Sequence, residues 1–403
     1  LVKPNVDTLY SRVFLDLSSS DLAVTIPDMT DRYWTWPFYD AYANDVANLS
    51  PLQSYPGGTY LVRYEPNNPG AWLAANSTNS SSSSYAGYVN LPTPYGISLV
   101  RILVQPENGG TAAVNALQDQ LHVTEIPRDA QPVAPALNLS IFYDAAIVPG
   151  GQSILEQGVL NLGALLAQFN PSEVVADRSW INETLRDAGF SFPNGTSAQP
   201  AGTNLTAASA SANASVAAEA KNTGFEIQIG TSWTMQNTSF IGNYYDAYFA
   251  RYSVATAGYL AMTDDQVLYP VYGGALTASN TTVLLVIFDS RPPLEDLGFW
   301  SLTAYNAAGY LIENPIDVYA LGDRSNLTMM DGSKYSDGTD GPFQILVQPG
   351  NVVPPANWTS NWLPSPAESA SFQLGLRFYG PSDALRNDSW TYPSAETVAA
   401  ITA

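Results

Sequence analysis

The stretch "FWSLTAYNAAGYLI", Phe299 to Ile312, carries a clear strand-and-turn pattern. Aromatic, aliphatic and threonine side chains fill its first half, which is typical of a strand, and "NAAG" then marks a turn. Similar apolar runs lie on both sides of it, namely "TTVLLVIFD", "FQILVQPG" and "SFQLGLRFYGP". The sequence therefore predicts a β-sandwich domain over residues 226–403.

The N-terminal part of the chain repeats this pattern. "LYSRVFLDLS" alternates apolar and polar residues, and "GGTYLVRY" and "GISLVRILV" are rich in strand formers. Trp34 and Trp36 share one face of a strand if the alternation holds, so we expect at least one of them to be buried. These features predict an N-terminal β-sandwich domain over residues 1–150.

Residues 151–225 differ from both flanking parts. "SILEQGVLNLGALLAQF" has apolar residues at helical spacing, and a second helix is expected from about Pro171 to Gly189. The Ala/Ser/Asn-rich stretch from Asn194 to Ala220 has the composition of a flexible linker. The predicted fold is thus mainly β, with two jelly-roll-like β-sandwich domains and an intervening helical segment.

Composition excludes several classes of protein. Only 13% of the residues are charged and the net charge is −21, which opposes binding to nucleic acid or to anionic membranes. The chain has no cysteine, so disulfides and Cys-based metal sites are excluded. It also contains no apolar run of membrane-spanning length, no G-x-G-x-x-G motif and no P-loop. We therefore predict no membrane span and no cofactor.

Asn-x-Ser/Thr sequons are unusually frequent. The chain has thirteen of them, whereas chance would supply roughly four or five at this composition. Attached glycans would solvate a surface that carries few charges, which predicts a eukaryotic secretory glycoprotein. The serine run "NSTNSSSSSY", Asn76 to Tyr85, is then a solvated loop. The sequon asparagines are Asn48, Asn76, Asn79, Asn138, Asn182, Asn194, Asn204, Asn213, Asn237, Asn280, Asn326, Asn357 and Asn387.

The chain begins at Leu1 rather than at a methionine. We expect either a removed signal peptide or a longer product, and both alternatives fit a secreted protein, extracellular or at the cell surface.

Two sets of motifs resemble known domains. "PNVDTLYSRVFLDLS", "DRYWTWPFYDAYANDVANL" and "GGTYLV" resemble the domain of unknown function numbered twelve fifty-four. "FWSLTAYNAAGYLIENPIDVYALGDRSNL" and "NWLPSPAESASFQLGLRFYGPSDAL" resemble the domain of unknown function numbered twelve fourteen. The resemblance implies β-rich, jelly-roll-like domains that commonly occur together in this order. It implies no agreed activity and no catalytic residues.

Carboxylates are the remaining candidates for catalysis. His122 is the single histidine, so a Ser-His-Asp triad would have to use it, and a surface or packing role is favoured. Asp7, Asp31 and Asp40 lie in the motifs that carry the resemblance, close to aromatic residues. Two carboxylates beside aromatic rings are what a glycosidase requires. The structural alternative is that Asp7 caps a turn and that Arg32 pairs with Asp40.

A second acidic stretch has the composition of a cation-binding loop. "DGSKYSDGTDG" places Asp331, Asp337 and Asp340 among glycines, and oxygen-rich loops suit Ca²⁺. The spacing is not that of an EF-hand, and a solvated loop without metal is favoured.

We interpret the chain as a secreted, heavily N-glycosylated structural protein that self-associates into an oligomer or fibril. Few charges oppose close packing, 12% of the residues are aromatic, and sequons are sparse in 239–279 and 282–325, where a contact surface is expected. An extended N-terminal segment would offer a route to pairing by strand addition. Two alternatives remain open: a carboxylate-dependent hydrolase of glycans or esters, and a carbohydrate-binding protein. A non-enzymatic role is favoured, and the predicted partners are a second copy of the chain and N-linked glycans.

Overall fold

Four stacked sheets organise the chain. We number them I to IV from the N-terminal outer layer to the C-terminal outer layer. Sheets I and II form one sandwich, and sheets III and IV form the other. The computed structural model describes residues 3–74, 84–145, 147, 156–192, 194–367 and 369–402.

The N-terminal sandwich contains nine strands and one helix. They are β1 (Thr8–Asp16), β2 (Ser20–Ile26), β3 (Trp34–Asp40), β4 (Asp45–Leu49), β5 (Gly58–Tyr64), β6 (Gly70–Leu73), β7 (Gly87–Leu91), β8 (Tyr95–Leu103), α1 (Gly110–Gln118) and β9 (His122–Pro127). Sheet I has the order β6-β7-β5-β2-β9 and sheet II the order β1-β8-β3-β4. Apolar side chains from both sheets fill the space between them, because alternate residues of each strand point inward.

The C-terminal sandwich follows the same plan. Its elements are β12 (Glu226–Ile229), β13 (Trp233–Gln236), β14 (Val267–Leu268), β15 (Val271–Tyr272), β16 (Leu276–Thr277), β17 (Thr282–Phe288), β18 (Leu294–Asn306), β19 (Ala320–Gly322), β20 (Phe343–Pro349), β21 (Trp362–Ser365), β22 (Ser371–Pro381), α6 (Asp383–Arg386) and β23 (Ser394–Ala399). Sheet III has the order β12-β13-β15-β22-β18-β19, with β14 and β16 also paired to β22, and sheet IV the order β21-β20-β17-β23.

A helical lobe lies between the two sandwiches in sequence. It contains α2 (Glu156–Ala167), α3 (Arg178–Asp187), the short hairpin β10 (Phe190–Ser191) and β11 (Thr196–Ser197), α4 (Leu205–Asn222) and α5 (Tyr248–Ala257). Phe225, Ala250 and Val254 belong to a small core of their own between α4 and α5. Helix α5 therefore packs with the lobe, although it lies in the range predicted for the C-terminal sandwich.

The stretch predicted as a linker forms helix α4 instead. Alanine has the highest helix propensity of all residues, and it recurs throughout this stretch. The Asn204 side chain caps the helix by accepting a hydrogen bond of 3.0 Å from the Ala207 N–H. The Ala/Ser composition therefore encoded a capped helix rather than a flexible segment.

The mainly β fold predicted from the sequence is confirmed. Each sandwich also contains one parallel strand pair, β5 with β7 and β20 with β21. A jelly roll consists of antiparallel strands, so both sandwiches depart from that pattern locally. Within the described ranges, no helix combines the length and the apolar composition needed to cross a membrane.

Sheets II and III meet at a layer that we call the junction. Every residue of β3 is buried, because its Trp34, Trp36 and Phe38 enter the N-terminal core while Tyr39 faces the junction. On the other side of the junction, the rings of Phe299 and Tyr379 stack with centroids 4.2 Å apart. The two sandwiches therefore share a third apolar core, which joins them.

Replacing Trp34 or Trp36 with alanine should destabilise the protein by about 3–5 kcal/mol, because a large cavity would replace a packed ring. Both tryptophans are 1% exposed, as the alternation predicts. Urea denaturation measures the loss. Trp180→Ala is the matched control, since this tryptophan is 56% exposed, and it should cost about 1 kcal/mol or less. Equal losses for the buried and exposed sites would contradict the packing described above.

Candidate functional site

The N-terminal segment enters the junction before β1 begins. The Asn5 Oδ1 accepts hydrogen bonds of 2.9 Å from the backbone N–H groups of both Asp7 and Thr8, and this turn directs the chain into β1. Asn5, rather than Asp7, therefore caps the turn. The Pro4 carbonyl accepts a hydrogen bond of 2.9 Å from the Tyr305 hydroxyl. The segment thus lies against the C-terminal sandwich of its own chain rather than extending away from it.

Asp7 forms an ion pair across the junction. Its carboxylate accepts a short hydrogen bond from the Arg324 guanidinium and one of 2.7 Å from the Ser301 hydroxyl. Asp7 is only 3% exposed, so the pair is largely shielded from water. The Arg324 guanidinium also lies 4.4 Å above the centre of the Phe299 ring. This contact fixes the cation from a second side.

Asp323 is a second carboxylate beside the same arginine. One of its oxygens lies 3.7 Å from Arg324 Nη1 and accepts a hydrogen bond of 3.4 Å from the Trp300 N–H. Burial raises the pKa of Asp323 to about 6, although the Arg324 charge opposes this shift. Glycine at position 322 lets the backbone before Asp323 approach β18 closely, because a Cβ at this position would lie 2.1 Å from the Trp300 carbonyl oxygen.

Arg377 is buried on the same face of sheet III. Its guanidinium donates to the Thr303 hydroxyl at 3.0 Å, to the Lys3 carbonyl at 3.0 Å, and to the Tyr305 hydroxyl. All of these acceptors are uncharged. Arg377 therefore holds the N-terminal segment without a carboxylate in ion-pair contact.

Arg101 enters the junction from sheet II. Its guanidinium donates to the Tyr269 hydroxyl at 3.3 Å and to the Leu260 carbonyl at 3.1 Å. Its Nε–H is buried and has no hydrogen-bond partner. The buried Tyr33 hydroxyl lies beside that of Thr35, yet makes no hydrogen bond of normal geometry. Thr35 is directly opposite Arg101 in the sheet, so the two unpartnered groups share one region.

Positive charge is therefore concentrated inside an acidic protein. Lys3, Arg101, Arg324 and Arg377 are four of the fifteen Lys and Arg residues in the chain, and all contact the junction. The carboxylates of Asp7 and Asp323 are both in ion-pair contact with Arg324. Among the described residues, no carboxylate lies in ion-pair contact with Arg101 or Arg377.

A surface groove borders this cluster. It has a volume of about 410 Å³. Its lining includes Val6 and Ser325, the immediate neighbours of the paired Asp7 and Arg324 in sequence. Tyr319 and the sequon residue Asn326 lie in the same groove. The ion pair is thus close to a concave part of the surface.

The three candidate carboxylates do not form one site. Asp31 is exposed and pairs with the neighbouring Arg32 at 2.8 Å, which lowers the pKa of Asp31. Asp40 is buried at the hairpin between β3 and β4, where it accepts a hydrogen bond of 2.9 Å from the Asn44 amide. The predicted pairing of Arg32 with Asp40 is therefore wrong. Of the three, Asp7 alone lies at the junction.

Sequence reasoning missed Arg101, Arg377 and Asp323. The sequence pattern could have identified the two arginines, because Arg101 lies within the apolar run "GISLVRILV" and Arg377 within "FQLGLRFYG". An arginine rarely occupies such a position unless it is buried with polar partners. Asp45 was also missed. It accepts a hydrogen bond of 2.8 Å from the Asn48 amide, and burial raises its pKa to about 7.

The remaining candidates occupy separate places. His122 begins the edge strand β9 and is exposed. In the acidic loop, Asp331 accepts from Ser333, Asp337 from the Lys334 N–H, and Asp340 from the Arg291 N–H. Within the described part of the chain, no three His, Cys, Asp or Glu residues are grouped closely enough to hold a metal ion.

Most of the sequon asparagines that the structure describes are exposed. Asn76 and Asn79, with most of the serine run, lie outside the described residues. Asn48 is buried in β4 and its amide donates to Asp45, so a glycan on Asn48 is incompatible with this fold. Asn237 and Asn280 are half-buried. The exposed ones are Asn138, Asn182, Asn194, Asn204, Asn213, Asn326, Asn357 and Asn387.

Two family models match parts of the chain. Residues 1–125 match the family described as Protein of unknown function (DUF1254), and residues 272–383 match the one described as Protein of unknown function (DUF1214). The two matches follow the order that the resemblance predicts. Asp7 and Arg101 come from the first match, and Arg324 and Arg377 from the second, so the junction combines residues of both domains.

A solved structure of low sequence identity has the same fold. The crystal structure of the VPA0106 protein from Vibrio parahaemolyticus has a TM-score of 0.63 and 18% identity, covering 98% of this chain and 90% of that chain. A crystal structure of an uncharacterized protein from Burkholderia cenocepacia has a TM-score of 0.47 and 10% identity, covering 98% of this chain and 78% of that chain. No curated protein matches this sequence.

Asp323 should make stability depend on pH. Since its pKa is raised in the folded protein, the folded state binds this proton more tightly than the unfolded chain does. Its contribution to the free energy of unfolding should therefore fall as pH rises from 3.8 to about 6. Asp323→Asn should remove this fall, which urea denaturation at several pH values would measure.

Asp331→Asn is the matched control for this experiment. Asp331 is exposed and hydrogen bonds from Ser333 lower its pKa, so this variant should keep the fall in stability that Asp323 causes. An identical pH profile for the wild type and Asp323→Asn would contradict the assignment.

Proposed function

We propose that this protein is a secreted, N-glycosylated structural protein of the extracellular space or cell surface, and that copies of it self-associate. The observation that carries the proposal is the exposure of most of the sequon asparagines among the described residues, together with exposed tyrosines in two segments that contain no sequon.

Support for glycosylation comes from the exposure of the sequons. Eight of the eleven sequon asparagines in the described ranges are exposed, although strands and cores bury much of the chain. Enzymes that attach and process glycans require such access. Glycans at these positions would solvate a surface on which few residues carry a charge.

Support for self-association comes from the sequon-free segments. Tyr245 and Tyr259 are exposed in the segment 239–279, and Tyr310 is exposed in 282–325. Tyr252 is exposed as well, but its hydroxyl donates a hydrogen bond of 2.6 Å to the sequon residue Asn213, so it lies at the border of the contact rather than within it. Tyr245 also has a positive φ of 43°, which is unusual for a residue other than Gly, Asn or Asp. Exposed apolar groups on a secreted protein commonly mark a contact with a partner. We assign this contact to a second copy of the chain.

Glycopeptide mapping should find glycans on the eight exposed asparagines and none on Asn48. The material should come from a eukaryotic secretory host, with enzymatic release in heavy-oxygen water to mark each occupied site. Occupancy of fewer than about four sites would contradict the proposal, because chance alone supplies that many sequons.

A new glycan on the sequon-free surface should block self-association. The double substitution Tyr245→Asn with Ala247→Thr creates a sequon at position 245, and asparagine tolerates the positive φ found there. Light scattering and negative-stain imaging should show oligomers or fibrils for the wild type and smaller particles for this variant. Assembly should strengthen at acidic pH, since the net charge of −21 opposes it near neutrality.

Tyr245→Asn alone is the matched control, because it removes the same ring without adding a glycan. If both variants assemble like the wild type, position 245 lies outside the contact. A wild-type protein that stays monomeric at every pH would overturn the self-association proposal.

The pair of carboxylates beside Arg324 favours a second candidate, a hydrolase of glycans or esters. Asp7 accepts hydrogen bonds from Arg324 and Ser301, whereas burial raises the pKa of Asp323 to about 6. Carboxylate hydrolysis needs a carboxyl group that can donate a proton near neutral pH and a second carboxylate. Turnover of aryl glycosides or aryl esters that disappears in Asp323→Asn, but not in Asp331→Asn, would establish this candidate. No turnover by the wild type would reject it for these substrates.

A further inference from the structure

Arg101 is a buried cation with no carboxylate in ion-pair contact among the described residues. The buried carboxyl group of Asp45 interacts with it electrostatically, but burial raises the pKa of Asp45 to about 7, so this group balances the charge only in part near neutral pH. It is 5% exposed, and its two hydrogen-bond acceptors are the neutral Tyr269 hydroxyl and the Leu260 carbonyl. Burying a guanidinium without an anion is costly, because water no longer solvates the charge. A water molecule could satisfy the free Nε–H, but it would leave the charge unbalanced. The structure therefore points to an anion as the missing partner.

Two unpartnered donors define where this anion would bind. The Arg101 Nε–H is buried without a hydrogen-bond partner, and the Tyr33 hydroxyl is buried beside that of Thr35 without a hydrogen bond of normal geometry. They lie on the same face of sheet II, since Thr35, two residues after Tyr33, is paired with Arg101, and the Tyr33 carbonyl accepts from the Leu103 N–H. A carboxylate has two oxygens, so one group can accept from both donors.

The approach to Arg101 is lined by aromatic rings. Tyr10 is paired with Arg101 in the sheet and covers its guanidinium, with the cation 5.6 Å from the ring centre. Tyr10 is 42% exposed, and Phe14, on the same face of β1, is 50% exposed. The half-buried side chains of Ile97 and Leu99 continue this face. A bound ring compound would therefore find flat apolar surfaces next to the cation.

We propose that the junction binds a ring compound bearing a single carboxylate, such as a sugar acid, with the carboxylate on Arg101 and Tyr33 and the ring against Tyr10 and Phe14. To admit the ligand, Tyr10 must give up the hydrogen bond that its hydroxyl accepts from the Asn5 amide and turn toward solvent, to which 42% of the residue is already exposed. Arg377 and Lys3 add positive charge from the other side of the junction. A single negative charge suits Arg101, because the guanidinium of Arg324, which also has an unpartnered donor at the junction, already has the carboxylates of Asp7 and Asp323 beside it.

Calorimetric titration of the glycosylated full chain with galacturonate tests this proposal. Galactose is the matched control ligand, because it keeps the sugar ring and lacks the carboxylate, and inorganic phosphate is the competing anion. We expect galacturonate to bind and galactose not to bind, with phosphate weaker than galacturonate. Equal binding of galactose, tighter binding of phosphate, or no binding of galacturonate would each overturn the proposal.

Two variants locate the site. Arg101→Gln should weaken galacturonate binding by about tenfold or more, because a charge-assisted hydrogen bond is lost. Arg186→Gln is the matched control, since Arg186 is exposed in helix α3 of the helical lobe and its loss changes the net charge equally. Arg186→Gln should leave the affinity unchanged. Equal weakening by both variants would indicate non-specific attraction and overturn the assignment.

Tyr33→Phe is a second test of the proposed site, in case Arg101→Gln does not fold. It removes a hydroxyl that has no hydrogen-bond partner and keeps the ring that packs on Phe299 and Tyr379. The variant should fold as well as the wild type and bind galacturonate about two- to tenfold more weakly. Unchanged affinity in Tyr33→Phe would show that the ligand does not reach this region, and would overturn the proposed geometry.

Discussion

The ion pair between Asp7 and Arg324 is the contact on which the relation between the two sandwiches depends. Asp7 directly precedes β1, the first strand of the N-terminal sandwich, and Arg324 follows β19 of the C-terminal sandwich. Both groups are largely withdrawn from water, so either one left alone would be an uncompensated buried charge. The stability of each sandwich therefore depends on the position of the other.

The packing around this pair has the same effect. Tyr33 from the N-terminal sandwich lies edge-on to both Phe299 and Tyr379 of the C-terminal one, at 5.3 and 5.5 Å. Such ring pairs add to the burial of apolar area and restrict the relative orientation of the sheets. A chain of two domains is therefore better understood as one structural unit with a charged layer inside. That arrangement also explains why the junction, rather than either core, contains the polar groups suited to binding.

The distribution of charge connects structure to function. Four of the fifteen basic residues meet at the junction, which leaves the rest of the surface strongly acidic. Under the proposed function, glycans on the exposed sequons would provide solvation by neutral groups, and the sequon-free segments with exposed tyrosines would remain for contact with a second copy. The proposed binding at the junction and the proposed contact at the surface use different residues, so the two proposals are compatible.

Much of the fold could be predicted because each strand follows a simple alternation. Trp34 and Trp36 were expected on one buried face, and they are, because residues two apart in a strand point the same way. Helix α2 likewise lies in a stretch whose apolar residues recur at helical spacing. Helix α4 was not predicted, because an Ala/Ser-rich composition is compatible with both a linker and a helix. Packing against α5 stabilises the helix.

The site was harder to predict from sequence because its members are far apart in the chain. Asp7 was a candidate, but its partner lies more than three hundred positions away, and no local pattern specifies that contact. Arg101 and Arg377 were not recognised as site residues, because each lies within an apolar run that predicts only a strand. Conversely, Asp31 and Asp40 were close to aromatic residues in sequence but have local partners, Arg32 and Asn44. Local spacing therefore predicted elements well and long-range pairs poorly.

A double-mutant cycle with Asp7→Asn and Arg324→Gln tests most directly whether the ion pair couples the two sandwiches. The free energy of unfolding would be measured for the wild type, both single variants and the double variant. Each single variant should lose about 3–5 kcal/mol, because it leaves one buried charge unpaired. The double variant should lose much less than the sum of the two. Additive losses, with no interaction energy between positions 7 and 324, would contradict the account.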